Sequence, residues 1–301
     1  MKYFLLIILT FILSAQSFSQ IQKQHPSPMT ENVRKHQRIN KIDYPGISFS
    51  VKDIFPKEFE IYIPEDNLKA DTLDLLIHFH GSAGIVKYAA DKYNGKIAAA
   101  AVNLGAGSSV YSKPFLDQKK FEEFLDVVED SLQRKLNKKI FFDTIYLSGF
   151  SAGYGAVREI LRNEKYFKLI NNVLLLDGIH ASYIPEGVNL YDGGKIDSTD
   201  LDSFLKFAEA AANSSSKKFL IAHSEIYPGT YVSTTEAADY LLRQLNIKRK
   251  AVLKWGPLGM QQISQAEKGK FYVLGFAGNT APDHIDHLHA LYYFLKTFKD
   301  F

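Results

Sequence analysis

From Gly46 onward the apolar residues of this chain fall into short runs separated by polar and glycine-containing stretches. Runs at 47–51, 59–63, 73–80, 97–102, 144–147, 172–176, 219–223 and 271–276 have strand length and are rich in β-branched and aromatic residues. Between the later runs the apolar spacing changes from two to three or four. Phe121, Phe124, Leu125, Val128, Leu132 and Leu136 predict a helix over 121–136. Further helices are predicted over 201–212 after Thr199-x-x-Asp202, over 237–245 after the capping box Ser233-x-x-Glu236, and over 284–298 after Thr280-x-x-Asp283. The first two strands can pair antiparallel. Strands alternating with helices then imply an α/β protein with a mostly parallel eight-stranded sheet flanked by helices.

One segment of this pattern carries chemistry. Gly149-Phe150-Ser151-Ala152-Gly153 lies between the strand that ends the run Phe142-Asp143-Thr144-Ile145-Tyr146-Leu147-Ser148 and a helix over 154–162, with Ala156, Val157, Ile160 and Leu161 on one side. Gly-x-Ser-x-Gly between a strand and a helix is a nucleophile elbow. The turn is so tight that its flanking residues must be small. It holds the serine hydroxyl clear of the backbone at a helix N-terminus, where N–H groups favour developing negative charge.

With eight strands and the serine after the fifth, the chain resembles the α/β-hydrolase superfamily over about residues 46–299. That resemblance implies an oxyanion hole after the third strand, in Leu75-Leu76-Ile77-His78-Phe79-His80-Gly81-Ser82-Ala83-Gly84, with the amides of Ser82 (or Gly81) and Ala152 as donors. It implies the order serine, acid, histidine. The histidine is sought in Asp283-His284-Ile285-Asp286-His287-Leu288-His289, where helical spacing turns His284 and His287 toward the sheet and His289 toward solvent. His287 looks like the family's histidine, with His284 one turn earlier as its rival. The acid is Asp177, ending the sixth strand, or Glu225, following the seventh; Ile226 stands where the commoner family aspartate is expected, which favours Asp177. His180, Tyr183, Tyr227, Tyr231 and Trp255 are candidate substrate contacts, as aromatic residues of loops at the same carboxyl edge or just beyond it. The glycine-rich Leu104–Ser109 stretch lacks the lysine of a phosphate loop and receives no nucleotide role.

Composition narrows the picture further. Met1-Lys2-Tyr3 followed by the apolar run 4–13 and the small, polar stretch 14–20 reads as a signal peptide over 1–19, predicting a secreted or periplasmic protein. Residues 20–45 read as a polar N-terminal arm and 46–301 as one hydrolase domain. The absence of cysteine excludes disulfides, a cysteine nucleophile and thiolate metal sites. A net charge of +3 with both signs interspersed carries no nucleic-acid or membrane footprint.

The expected activity is hydrolysis of carboxylic esters through a Ser-His-Asp/Glu triad and an acyl-enzyme, with no cofactor. A small-molecule or carbohydrate ester is the expected partner: acyl groups on carbohydrates or small aryl esters suit the aromatic loops, and no long apolar lid separates the sixth and seventh strands. Peptidase chemistry shares the same triad. A metal-dependent hydrolase built on His78-x-His80 and the Asp283–His287 segment, and a non-catalytic binding protein on the same fold, are the competing classes.

Overall fold

The computed structural model describes residues 43–213 and 216–300. The expected signal peptide, and all of the expected arm before Asp43, lie outside the described residues. The main sheet contains β1 (Gly46–Val51), β2 (Phe59–Pro64), β3 (Thr72–Phe79), β4 (Ile97–Val102), β5 (Phe141–Phe150), β6 (Asn172–Leu176), β9 (Lys218–His223), β10 (Lys250–Trp255), β11 (Gln261–Lys268) and β12 (Phe271–Phe276). Their spatial order is β1-β2-β4-β3-β5-β6-β9-β12-β11-β10. From β4 across to β12 every neighbouring pair is parallel, and the strands outside that block pair antiparallel. A short ribbon of β7 (Tyr183–Ile184) and β8 (Lys195–Ile196) stands apart.

The sheet has ten strands where eight are expected, and the added pair explains itself. β10 is exposed at nearly every position, and β11 (QQISQAEK) has little apolar content. β10 buries no face and β11 buries only Gln262 and Ala266, so neither writes a hydrophobic period into the sequence. They extend the sheet by antiparallel ladders, β11 on β12 and β10 on β11, and their lysines suit an exposed edge.

In the centre the logic reverses. Along β6, Val173 and Leu175 join one core cluster while Leu174 and Leu176 join the other; along β9, Phe219 and Ile221 oppose Leu220 and Ala222 in the same way. A strand buried on both faces must be apolar throughout, as these runs are. One face is covered by α1 (Ala83–Asp91) and α9 (Leu291–Asp300). The other is covered by α3 (Lys120–Leu136), α4 (Tyr154–Arg162), α6 (Asp202–Asn213) and α7 (Thr234–Gln244). Short helices α2 (Ser108–Ser112) and α5 (Glu164–Leu169) complete that side. Both faces of the sheet being covered removes most of its apolar surface from water, at about 25 cal/mol per Å².

The capping box at Ser233 and Glu236 forms as expected, and that at Thr280 and Asp283 starts α8 (Ala281–His289) three residues earlier than expected. The helix expected over 284–298 is two helices, broken at Ala290. Thr199 does not cap; Asp197 does, for a 3-10 turn over Ser198–Asp200 that precedes α6.

Strand register gathers the chemistry at one edge. Phe79 pairs with Gly149, Phe150 with Leu176 and Leu176 with Ala222. The next residues on β5 and β6 are therefore Ser151 and Asp177, side by side at the carboxyl ends of parallel strands, where β3 and β5 send their helices to opposite faces. The elbow glycines are there for backbone contact. A Cβ on Gly153 would stand 2.1 Å from the carbonyl oxygen of Phe79, and one on Gly149 2.9 Å from the carbonyl carbon of Gly153. We expect Gly153→Ala to displace α4 from β3 and to cost roughly 1–3 kcal/mol of stability. Urea denaturation measures this, and an unchanged midpoint would contradict the close packing described.

Candidate active site

Ser151 has φ 46°, in the left-handed region that side chains other than glycine seldom adopt. The turn has no room to relax it: a Cβ at Gly178, just beyond Asp177, would lie 2.4 Å from the Ser151 carbonyl oxygen. Strain held by such over-determined packing is typical of functional turns. From Ser151 the chain passes through one 3-10 turn into α4, so the hydroxyl stands at the mouth of a helix.

Asp177 is also left-handed, with φ 44°, and is 4% exposed. Three hydrogen bonds fix its carboxylate. The Ser224 amide donates to Oδ1 at 2.9 Å, the Ser224 hydroxyl to Oδ2 at 2.6 Å, and His284 Nδ1 to Oδ2 at 2.8 Å. Burial alone would raise its pKa. The charges of His287 and His284, with the hydrogen bonds from His284 and Ser224, outweigh that and hold the carboxyl below its usual range.

The hydrogen bond expected from His287 is thus made by His284, one turn earlier on α8. His284 faces the cavity that Ser151 lines and packs against Phe150 at 4.5 Å between ring centroids. His287 is 1% exposed, between Phe276 and Phe294. Its Nδ1 donates to the Asp283 carbonyl at 3.0 Å, Nε2 has no hydrogen-bond partner among the described residues, and burial lowers its pKa. Both rings lie on the inward face, as spacing predicted, but the sheet edge lies beside the first turn of α8. His289, expected in solvent, is only 9% exposed, because the chain turns into α9 just after it.

Glu225 stands apart from this cluster. It is exposed; its amide donates to the Gly278 carbonyl at 2.8 Å and its carboxylate receives the Gly278 amide at 3.5 Å, so it braces that loop rather than the one from Tyr227 to Tyr231. Ser82 begins α1 after the left-handed pair His80 and Gly81, and Ala152 follows Ser151 directly. His80 stacks on Phe150 at 5.8 Å, tying the two loops together.

Two cavities meet at Ser151. The larger, about 530 Å³, is lined by Ser108, Ala152, Tyr154, Arg158, His180 and Asp200 among others. The smaller, about 230 Å³, is lined by Asp177, His180, Ile226, Pro228, Tyr231 and His284 among others. Of the expected substrate contacts His180 and Tyr231 line them, while Tyr183 is buried with its hydroxyl donating to Glu236. Tyr227 is turned toward Tyr191 at 6.4 Å. Trp255, 77% exposed at the end of β10, sits on the far edge of the sheet. Being aromatic and late in a strand told nothing of which strand order would follow. Ser108 comes from the glycine-rich loop that received no role, and Asp200 from the excursion after β6. Arg158 was missed, although its spacing of four from Tyr154 puts the two on one face of α4.

A chain of bonds behind Asp177 was also not legible in the sequence. Arg249 Nη1 donates to His223 Nε2 at 3.0 Å, so the proton of this neutral ring is on Nδ1, which donates to the Ser224 carbonyl at 2.8 Å. Asp239 holds the other side of the guanidinium. Burial first, and the Arg249 charge second, push His223 down to about 4. His78, half of the pair behind the metal reading, has both nitrogens engaged, by the Ser148 hydroxyl at 2.9 Å and the His80 carbonyl at 3.0 Å. Among the described residues no three His, Asp or Glu side chains converge as a metal group.

No protein-family model matches the sequence, and a search among curated proteins finds no match. Solved structures do match. The chain is similar to the feruloyl esterase module from Clostridium thermocellum, with 12% identity over 90% of this chain and 95% of that one, at a TM-score of 0.50. An acetyl xylan esterase from Aspergillus awamori (16% identity, 83% and 100% covered, TM-score 0.47) and an S-formylglutathione hydrolase from Agrobacterium tumefaciens (10%, 86% and 96%, 0.48) are also found. The chain has the α/β-hydrolase fold.

Burial pushes His78 down to about 3 and His180 down to about 4, as it does His223, against 6.5 for the free side chain. Between about 6.5 and these values the unfolded chain binds more protons than the folded one. Stability is therefore complete above 6.5 and falls as pH drops through the window, each ring contributing up to about 1.4 kcal/mol per pH unit. Urea midpoints between pH 7 and pH 4.5 should fall accordingly, with a shallower slope in His78→Asn; a flat profile would contradict the buried neutral state.

Proposed function

We propose that this chain is a serine hydrolase of carboxylic esters, with Ser151 as nucleophile, His284 as general base and acid, and Asp177 as the carboxylate that orients it. The observation that carries the reading is the His284–Asp177 hydrogen bond beside a strained serine elbow. Asp177 receives Nδ1–H, which leaves Nε2 of the same ring to take the Ser151 proton. As that proton leaves, the serine oxygen adds to the ester carbonyl, and the amides of Ala152 and Ser82 receive the oxyanion. The carbon–oxygen bond to the alcohol then breaks, and His284 returns the proton to the departing oxygen. Water adds to the acyl-serine by the same steps, releasing the carboxylic acid and the free serine. The low pKa of Asp177 keeps it ionised, so it stabilises the imidazolium without taking its proton.

Two cavities meeting at the serine, both partly lined by polar groups, support a soluble ester rather than a long-chain lipid. No described helix is long and apolar enough to cross a membrane, and the leader-like run at 4–13 supports export. The burial of His287 between Phe276 and Phe294, with Nδ1 donating to the Asp283 carbonyl, supports a packing role.

A fluorophosphonate probe should label the wild type and not Ser151→Ala, and a chelator should leave ester turnover intact. His284→Ala and Asp177→Asn should each lower kcat steeply, by about 10⁴ for the histidine, while Glu225→Gln stays near wild type. His287→Ala should lower the melting temperature more than turnover. A wild type that neither labels nor hydrolyses esters would move the chain to a non-catalytic binding role. A crippling His287→Ala with an active His284→Ala would return the base to His287.

A further inference from the structure

The two cavities at Ser151 differ in one respect that assigns them. The alcohol of an ester must leave beside the ring that protonates it, so the cavity lined by His284 takes the alcohol. The larger cavity is lined by Ala152, the residue expected to hold the oxyanion, and not by His284. It takes the acyl group.

That acyl cavity is walled by rings and closed by a charge pair. His180 meets Tyr154 at 5.2 Å and Tyr231 at 5.1 Å between ring centroids, both edge to face, forming an aromatic corner next to Ser151. Beyond it Arg158 Nη1 donates to Asp200 Oδ1 at 2.7 Å, with the side chains only 15% and 19% exposed. The Ser182 amide donates to Asp200 Oδ2 at 2.9 Å, and the guanidinium lies over the Tyr154 ring at 5.5 Å. Arg158 Nε reaches Glu159, which Arg162 neutralises in turn. Two cations thus face two carboxylates, and the group as a whole is neutral.

A neutral, paired guanidinium and carboxylate do not select an anion: an incoming carboxylate would meet Asp200 as well as Arg158. They suit a hydroxyl, which accepts from one partner while donating to the other. Among the described residues no hydrogen bond occupies Arg158 Nη2, which leaves a donor for it.

We infer that the cavity between Ser151 and the Arg158–Asp200 pair binds the acyl half of the ester, and that it selects a ring-bearing acyl group with a neutral hydroxyl at its far end. The inference rests on the serine esterase reading above. A ring without that hydroxyl fills the aromatic corner but leaves the Nη2 donor of the half-buried Arg158 without a partner, which is where discrimination arises.

The test keeps the alcohol constant. Methyl esters of 3-(4-hydroxyphenyl)acrylic, 3-phenylacrylic and 3-(4-carboxyphenyl)acrylic acid are compared with 4-nitrophenyl acetate, which reports the triad alone. Wild type should favour the hydroxylated over the unsubstituted ester by roughly tenfold or more in kcat/KM, and should not favour the carboxylated one. In Arg158→Met and Asp200→Ala that ratio should collapse toward one, with Arg158→Lys recovering part of it; melting curves establish that each variant is folded. Hydrolysis of the acetate with no preference among the three acrylates overturns this inference and leaves the esterase reading standing. Preference for the carboxylated ester, or a ratio retained in both folded variants, also overturns it. No hydrolysis of any ester, with Ser151 unlabelled, takes down both readings.

Discussion

Backbone touching backbone is what the site is built on. Gly153 lies against the Phe79 carbonyl and Gly178 against Ser151 itself, so the ends of β3, β5 and β6 meet with no side chain between them. Each contact is possible because parallel strands in register end at one edge, and each forbids even a methyl group. Ser151 cannot leave its left-handed conformation without moving α4 off β3 or β6 off β5. Both moves would break a core that is buried on both faces of the sheet. The serine is therefore held at a helix mouth by the packing of the whole α/β body, which is the rigid support the proposed nucleophile needs.

Against that frame the acid is placed by polar contacts. Asp177 takes two bonds from Ser224 and one from His284, and a chain through the Ser224 carbonyl, His223 and Arg249 anchors the far side. A buried carboxylate without such partners would protonate. Here its charge is held, and the ring it orients is the one that shares a cavity with Ser151. The antiparallel extension of the sheet has a part in this: Arg249 immediately precedes β10 and also donates to Ser264 of β11. Strands that bury little themselves thus help to brace the Asp177 carboxylate.

The asymmetry between the two cavities follows from the same topology. Helices on opposite faces leave the sheet edge open at the point where they diverge, and the loops after β4, β6 and β9 fill it unequally. The excursion after β6, pinned by Asp197 and by the ribbon of β7 and β8, brings Asp200 back over α4 to meet Arg158. Two residues 42 positions apart become one polar surface.

The residues alone determined the α/β class, the central strands, the elbow at Ser151 and the two capping boxes at Ser233 and Thr280, because each is written in local terms: an apolar run, a helical period, a pair of glycines at set distances from a serine. They narrowed the candidate histidine to one turn of one helix and the candidate acid to two strand ends, and there local pattern stopped. His284 and His287 share a face, and only the height of α8 against the sheet edge distinguishes them. Asp177 and Glu225 both follow strands, and only strand order, with the left-handed turn at Asp177, brings one of them to the ring. β10 and β11, Trp255 and the Arg158–Asp200 pair were decided wholly by the tertiary structure. Solvated edge strands carry no hydrophobic period, and a contact across the fold depends on strand order and loop path, which no stretch of sequence encodes locally.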